Sequence, residues 1–303
     1  MLDFTTLPRH NKSYAGANGS KIAVVYEGDL YMLKFPGAAR LNQGLSYANG
    51  CISEYLGSHV FELAGIPAQK TLLGTYTLNG KEKIVVACKD FTATGLVLQD
   101  FTSMKNTVLD SDSNGTGTEL NDITEAIETQ TMIDPAVLSR HFWDMFIVDA
   151  LIGNWDRHNG NWGFLYNTVT DEVLLAPIFD CGSCLFPQAD ESIMRAVLDD
   201  PAEKELRIFE RPLSAIRQDG QKINYFDFIS SLKHPACNAA LKRIAPKLRQ
   251  QDLRELVDST PFISDLQKEF YRTMLSERKE RILDFSLQKL LKREGKKSKN
   301  AEG

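Results

Sequence analysis

Twelve residues in the middle of the chain, Gly153 to Phe164 (GNWDRHNGNWGF), gather one Asp, one Arg, one His, three Asn and two Trp. So many polar side chains between two apolar runs suit neither an amphipathic helix face nor a half-buried strand. The preceding segment, DPAVLSRHFWDMFIVDALIGN, reads as a helix with Asp134 as N-cap, Pro135 at its first position and Gly153 at its end. Its apolar residues cover most of the circumference, which predicts a buried helix. The following segments, WGFLYN and EVLLAPIFD, read as two short strands about a polar turn at Asn167–Asp171. The polar dozen is therefore a loop held between rigid elements, a common setting for functional side chains.

The N-terminal part is strand-rich. KIAVVY and LYMLKF flank EGD as one hairpin, and KTLLGTYTL and KIVVACKDF flank NGKE as a second. Between them Ile52, Leu56, Val60 and Leu63 recur at helical spacing, closed by Gly65 and Pro67. LDSDSNGTGTEL breaks every period and reads as a loop or lobe connection, and from ESIMRAVLDD onward the chain is mostly amphipathic helix. Strands first and helices later make an α+β chain, and its 303 residues with 43% apolar content suffice for two lobes with real cores. A net charge of −5 gives no global basic field for direct nucleic-acid binding, and the basic tail LLKREGKKSKN reads as a solvated end. The N-terminus lacks the pattern of a secretory signal, and no run approaches the ~18 apolar residues of a membrane span. Five cysteines read as reduced thiols. A cytoplasmic protein is the default, with export to a host left open.

Asp156, His158 and Asn161, followed by a strand pair ending at Asp180, suit phosphoryl transfer. One carboxylate orients the attacking hydroxyl and accepts its proton, while hard oxygens hold Mg²⁺ on the nucleotide phosphates. Asp156 suits the first task, and Asn161 and Asp180 the second. Lys34 in YMLKFP can meet phosphate oxygens, and Glu54 on the next helix can fix that lysine by an ion pair. Backbone N–H groups of Gly16, Ala17, Asn18, Gly19 and Ser20 can approach phosphates. His158 reads as a brace for Asp156 ahead of a general base, Arg157 as a surface or phosphate-facing charge, and Trp155 and Trp162 as anchors of the loop.

These motifs resemble the HipA-type serine/threonine kinases, distant relatives of protein and phosphoinositide kinases. The resemblance runs from about Ser13 to the C-terminal helices, on SYAGAN, YMLKFP, NGCISEYLGSHVFELAGIP, GNWDRHNGN and PIFDCGS. It implies a two-lobed kinase fold, with residues 1–92 as an ATP-binding lobe and 93–303 as a helical catalytic lobe. It further implies Asp156 as catalytic aspartate, Asn161 and Asp180 as Mg²⁺ ligands, Lys34 on the ATP phosphates and Glu54 supporting it. The strand near Ala87 to Phe91, with Cys88 and Asp90, becomes the hinge beside adenine. Ser13 matches an autophosphorylated serine at the head of the phosphate loop, although the lysine expected nearby comes one residue late, as Lys21. The implied acceptor is a protein serine or threonine, for instance on an aminoacyl-tRNA synthetase. A small helix-turn-helix antitoxin and a toxin-type role come with the same resemblance, and the short N-terminus suggests a core-only form. Two other classes stay open at this stage: a lipid or small-molecule kinase, and a nucleotide-binding pseudokinase or interaction module.

Overall fold

Two tight turns build the first sheet of the computed structural model, which describes residues 2–14, 21–37, 49–92, 95–108 and 115–301. A short strand β1 (Arg9–His10) precedes β2 (Lys21–Tyr26) and β3 (Asp29–Lys34). The latter two join through Glu27 and Gly28, at φ 50° and 83°. Successive left-handed residues match the twist of the flanking strands, which is how a two-residue hairpin closes. After helix α1 (Gly50–Leu63), strands β4 (Thr71–Leu78) and β5 (Lys81–Lys89) repeat the device at Asn79 and Gly80. The sheet order is β1-β2-β3-β5-β4, antiparallel throughout.

Alternation along β5 sends its side chains to both faces of the sheet. Val85 and Ala87 join Phe4, Val24, Leu33 and Tyr76 in a small core on one side. Val86 and Cys88 turn to the other, where Ile52, Leu56, Val60 and Phe61 of α1 meet them. That second face belongs to the main core, which continues without a break into the helices. Leu56 is fully buried there, so truncating it to alanine costs about 2–5 kcal/mol.

The second part begins with β6 (Leu96–Asp100), α2 (Phe101–Val108) and α3 (Leu120–Thr129). Helix α4 (Pro135–Ile152) then runs through the core, with every residue from Phe142 to Ile152 buried. Its cap is as the sequence predicts: Asp134 Oδ1 accepts from the Ala136 N–H at 2.8 Å, and Gly153 ends the helix at φ 61°. Buried Arg278 donates to the carbonyls of Ala150 and Leu151 in the last turn of α4. Those orphan carbonyls thereby gain the cation that a helix C-terminus favours. Burial pulls its pKa down to about 10, with Tyr225 opposing the fall. The end of α4, from which the polar loop springs, is thus fixed from two sides.

Strands β7 (Gly163–Asn167) and β8 (Glu172–Leu175) form the expected hairpin, and β6 pairs with β7 to complete a three-stranded sheet. The helices α5 (Glu191–Asp199), α6 (Pro201–Glu205), α7 (Tyr225–Ser231), α8 (Pro235–Ile244), α9 (Gln250–Ser259), α10 (Asp265–Arg278) and α11 (Phe285–Ala301) follow. Among the described residues no helix is long and apolar enough to cross a membrane. The architecture is α+β and two-lobed, a small antiparallel sheet with one helix above a larger helical body. Among the pieces without a clear signal in the sequence are β1, α3 and two others. One is β6 with α2, a five-residue strand running straight into a two-turn helix without punctuation. The other is a minimal hairpin, Arg217–Gln218 against Gln221–Lys222, whose Asp219-Gly220 turn was the available signal.

Candidate active site

Lys34 is the last residue of β3, and its side chain is only 15% exposed. Its Nζ donates to Glu54 Oε2 at 2.8 Å and to Asp180 Oδ1 at 3.0 Å. Glu54 is buried in α1, and its second oxygen, Oε1, accepts from the Cys181 N–H at 3.0 Å. Residues 34, 54 and 180 thus converge from a strand, a helix and a turn. Gly57 permits the approach, since a Cβ there would lie 2.7 Å from Cys181 Cβ and 2.8 Å from Cys184 Sγ. Cys184 in turn donates to Ser53 O at 3.3 Å. The CGSC thiols are therefore packing elements between α1 and the turn.

Electrostatics follow from this geometry. Burial opposes the Lys34 ammonium, but Asp180 and Glu54 outweigh it and hold its proton well above the ordinary lysine range. Lys34 in turn holds Asp180 below the usual carboxylate range, against burial, with Lys21 and Arg157 assisting. Asp180 remains an anion, half-exposed, in left-handed backbone at φ 56°. Such strain in a residue bearing a Cβ persists where neighbours over-determine it and is frequent at functional sites.

The polar loop supplies the facing residues. Asn154 donates to Asp149 Oδ1 at 2.9 Å and accepts from the Asp156 N–H at 3.1 Å. The Asp156 side chain is half-exposed, and Ser183 Oγ donates to its Oδ2 at 3.4 Å. Burial raises its pKa and the charge of Asp180 adds to the rise, while His158, Ser183 and Arg157 oppose it. His158 Nδ1 accepts from the Gly160 N–H at 3.0 Å, capping the short turn Asn159–Asn161, and its Nε2 stands 4.0 Å from Asp156 Oδ1. Asn161 donates through Nδ2 to Asp156 O at 2.8 Å. Trp162 is buried, stacked on Phe101 at 4.0 Å.

Arg157 corrects the sequence expectation: it is neither at the surface nor free to face phosphate. Its guanidinium is buried against Asp149 of α4, with Nε 3.0 Å from Oδ2. Nη1 donates to both Asn161 O at 2.7 Å and Phe179 O at 2.6 Å. One nitrogen therefore clasps the backbone of Asn161 and of the residue before Asp180. The sequence hid this because Asp149 lies inside an apolar helical run, and a buried carboxylate there requires a partner.

In the strand that the resemblance makes the hinge, Cys88 is fully buried between β3 and β4, and burial pushes its thiol well up. The Asp90 carboxylate accepts from Tyr14 at 2.8 Å, pairs with Lys12 at 2.6 Å and accepts from Thr92 Oγ1 at 2.5 Å. Ser13 is exposed between two residues thus tied to Asp90. Gly16, Ala17, Asn18, Gly19 and Ser20 lie outside the described residues. Phe91 and Phe179 stand 5.8 Å apart.

A small sheet and its helix, seated on a helical body around a Lys-Glu-Asp junction, define a kinase-like enzyme. The chain belongs to the HipA-like C-terminal domain family, whose model matches residues 12–260. The serine/threonine-protein kinase CtkA of Helicobacter pylori (strain J99 / ATCC 700824) is 47% identical to it over 285 residues, 93% of this chain and 86% of the relative. The crystal structure of the Helicobacter pylori proinflammatory kinase CtkA superposes with a TM-score of 0.89 at 45% identity, covering 96% of this chain and 98% of that one. HipA of Shewanella oneidensis MR-1, solved with HipB and operator DNA, matches with a TM-score of 0.56 at 14% identity, over 93% of this chain and 67% of that one. This last likeness is one of fold. By family and by its similarity to CtkA, the chain is an ATP-dependent kinase.

Proposed function

We propose that this kinase moves the γ-phosphoryl group of Mg-ATP to a serine or threonine hydroxyl of a protein. Residues 1–92 form the nucleotide-holding lobe and 93–303 the catalytic lobe. The observation that carries the reading is Lys34 Nζ held between Glu54 and Asp180. Lys34 meets the phosphates, and Glu54 keeps it extended toward them. Asp156 orients the acceptor hydroxyl and takes its proton, steadied by Ser183 and by His158 through the loop turn. The name of the CtkA relative supports a protein hydroxyl as acceptor over a lipid.

Asn161 and Asp180 suit Mg²⁺: they offer one amide and one carboxylate of hard oxygen, and Lys34 keeps that carboxylate ionised. Bound there, the metal would neutralise charge on the nucleotide phosphates. The residues themselves supply positioning, since Arg157 fixes the two backbone segments on one nitrogen.

The test is incubation with γ-labelled ATP and Mg²⁺, followed by phosphoamino-acid analysis. Label on serine or threonine, lost in Asp156→Ala, is expected. Label found only in lipid, or transfer that survives Asp156→Ala, would refute the assignment.

The pH profile gives a second check. Asp156 must be ionised to accept a proton, and its pKa is raised. The acid limb of kcat/KM is therefore expected above the ordinary aspartate value, activity falling as pH drops through the raised pKa. Asp180, shifted the other way, stays charged across that window. An acid limb at or below the ordinary value would count against Asp156 as the titrating group.

A further inference from the structure

The segment after Asp180 is bent in a way that only its neighbours can sustain. Leu185 and Phe186, both buried, take left-handed φ values of 51° and 57°, a few residues beyond Asp180 at 56°. That region is unfavourable for residues with a Cβ and persists only under outside constraint. Part of the constraint comes from α4, because the Leu185 N–H donates to Ile152 O at 2.8 Å. A further part comes from one asparagine.

Asn49 stands at the N-cap of α1 and is buried, yet its side chain accepts nothing from the first turn of that helix. An N-cap asparagine ordinarily spends its oxygen on its own helix. Here its backbone N–H donates to Pro187 O at 3.1 Å and its Nδ2 to Ala189 O at 2.5 Å. Its Oδ1 accepts from Gln267 Nε2 at 3.1 Å. Gln267 Oε1 accepts from the Ser264 N–H at 2.9 Å, closing the capping box of α10, and Ser264 Oγ donates to Glu191 Oε1 at 2.5 Å. The N-termini of α1, α5 and α10 meet around this amide. A turn and a half along α1 stand Ser53 and Glu54, which accept from Cys184 and from the Cys181 N–H.

We propose that Asn49 is a positioning residue for phosphoryl transfer: it locks the strained segment Cys181–Ala189 to the start of α1 and so keeps Glu54 on Lys34 and Asp180 beside them. This rests on the roles proposed above for Lys34, Glu54 and Asp180.

The experiment is a double-mutant cycle on the full chain: kcat and ATP KM for Asn49→Ala, Glu54→Gln and the pair, with melting temperatures alongside. Asn49→Ala is expected to lower kcat about 10- to 100-fold with ATP KM within about threefold. The pair is expected to be no slower than Glu54→Gln alone, because both changes act through the same side chain. Where Asn49→Ala fails to fold, Gln267→Glu enters the same cycle. It keeps the capping-box acceptor of α10 but sets an oxygen against Asn49 Oδ1, and the same non-additivity is expected. An impaired Glu54→Gln beside an unimpaired Asn49→Ala overturns the latch alone, as does an Asn49→Ala loss repeated in full in the Glu54→Gln background. A fully active Glu54→Gln removes the reading of the site, and the latch with it.

Discussion

Replacing Asp180 with alanine is expected to lower phosphoryl transfer at least about 10³-fold and to change ATP affinity far less. The carboxylate sits 3.0 Å from Lys34 Nζ, which holds its pKa down and keeps it ionised. A fixed anion beside the lysine proposed to meet the phosphates is suited to a divalent cation, and a neutral side chain there is not. The side chain is 48% exposed, so solvent screens the pair and its loss costs the fold little. Alanine also faces a local backbone penalty at φ 56°, which asparagine tolerates better. Asp180→Asn is therefore the cleaner variant, keeping size and backbone preference while removing charge. Single-turnover transfer from labelled ATP, with nucleotide binding measured separately, distinguishes the steps. Asp180→Asn retaining more than about a tenth of the wild-type rate would show that charge at this position is not the metal ligand.

The residues that converge on that carboxylate were legible because each rides on an element with a strong local signature. Glu54 follows from the spacing of Ile52, Leu56 and Val60, and Lys34 from the EGD hairpin. The polar loop follows from the cap of α4 and the strands after it. What stayed hidden depends on long-range burial. Nothing local tells that Arg157 turns inward while its neighbours His158 and Asp156 stay half-exposed. Asn49 carries no signal of its own in the sequence, and only the folded chain shows its side chain reaching Ala189 and Gln267 from the head of α1. Periodicity reports which face of an element is apolar; it carries no information about which polar group will meet it across the core.

Arg157→Met is expected to cost about 3–5 kcal/mol, a large share of the about 5–15 kcal/mol that holds a typical domain together. Arg157 and Asp149 are both buried, and the guanidinium lies over the Phe61 ring, 5.6 Å from its centroid. Removing the cation strands a carboxylate whose pKa burial already raises against the pull of Arg157 and Asn154. The sign of the pH effect follows. An acid with a raised folded-state pKa costs stability above that pKa, so the deficit is greatest at neutral pH. It shrinks as pH falls through the raised value toward the ordinary one. Removing both partners, as in Asp149→Leu with Arg157→Met, is expected to be less destabilising than the single change, because no buried charge is left alone. Activity is expected to behave differently. The carbonyls of Asn161 and Phe179 lose the nitrogen they share in either variant, so the better-folded double variant should still transfer phosphate about 10²-fold more slowly. Melting curves across pH and single-turnover rates on both variants test the two roles together. A double variant that recovers stability and full rate would reduce Arg157 to a counter-ion, whereas stability without rate would make it the clasp that aligns the metal-side residues.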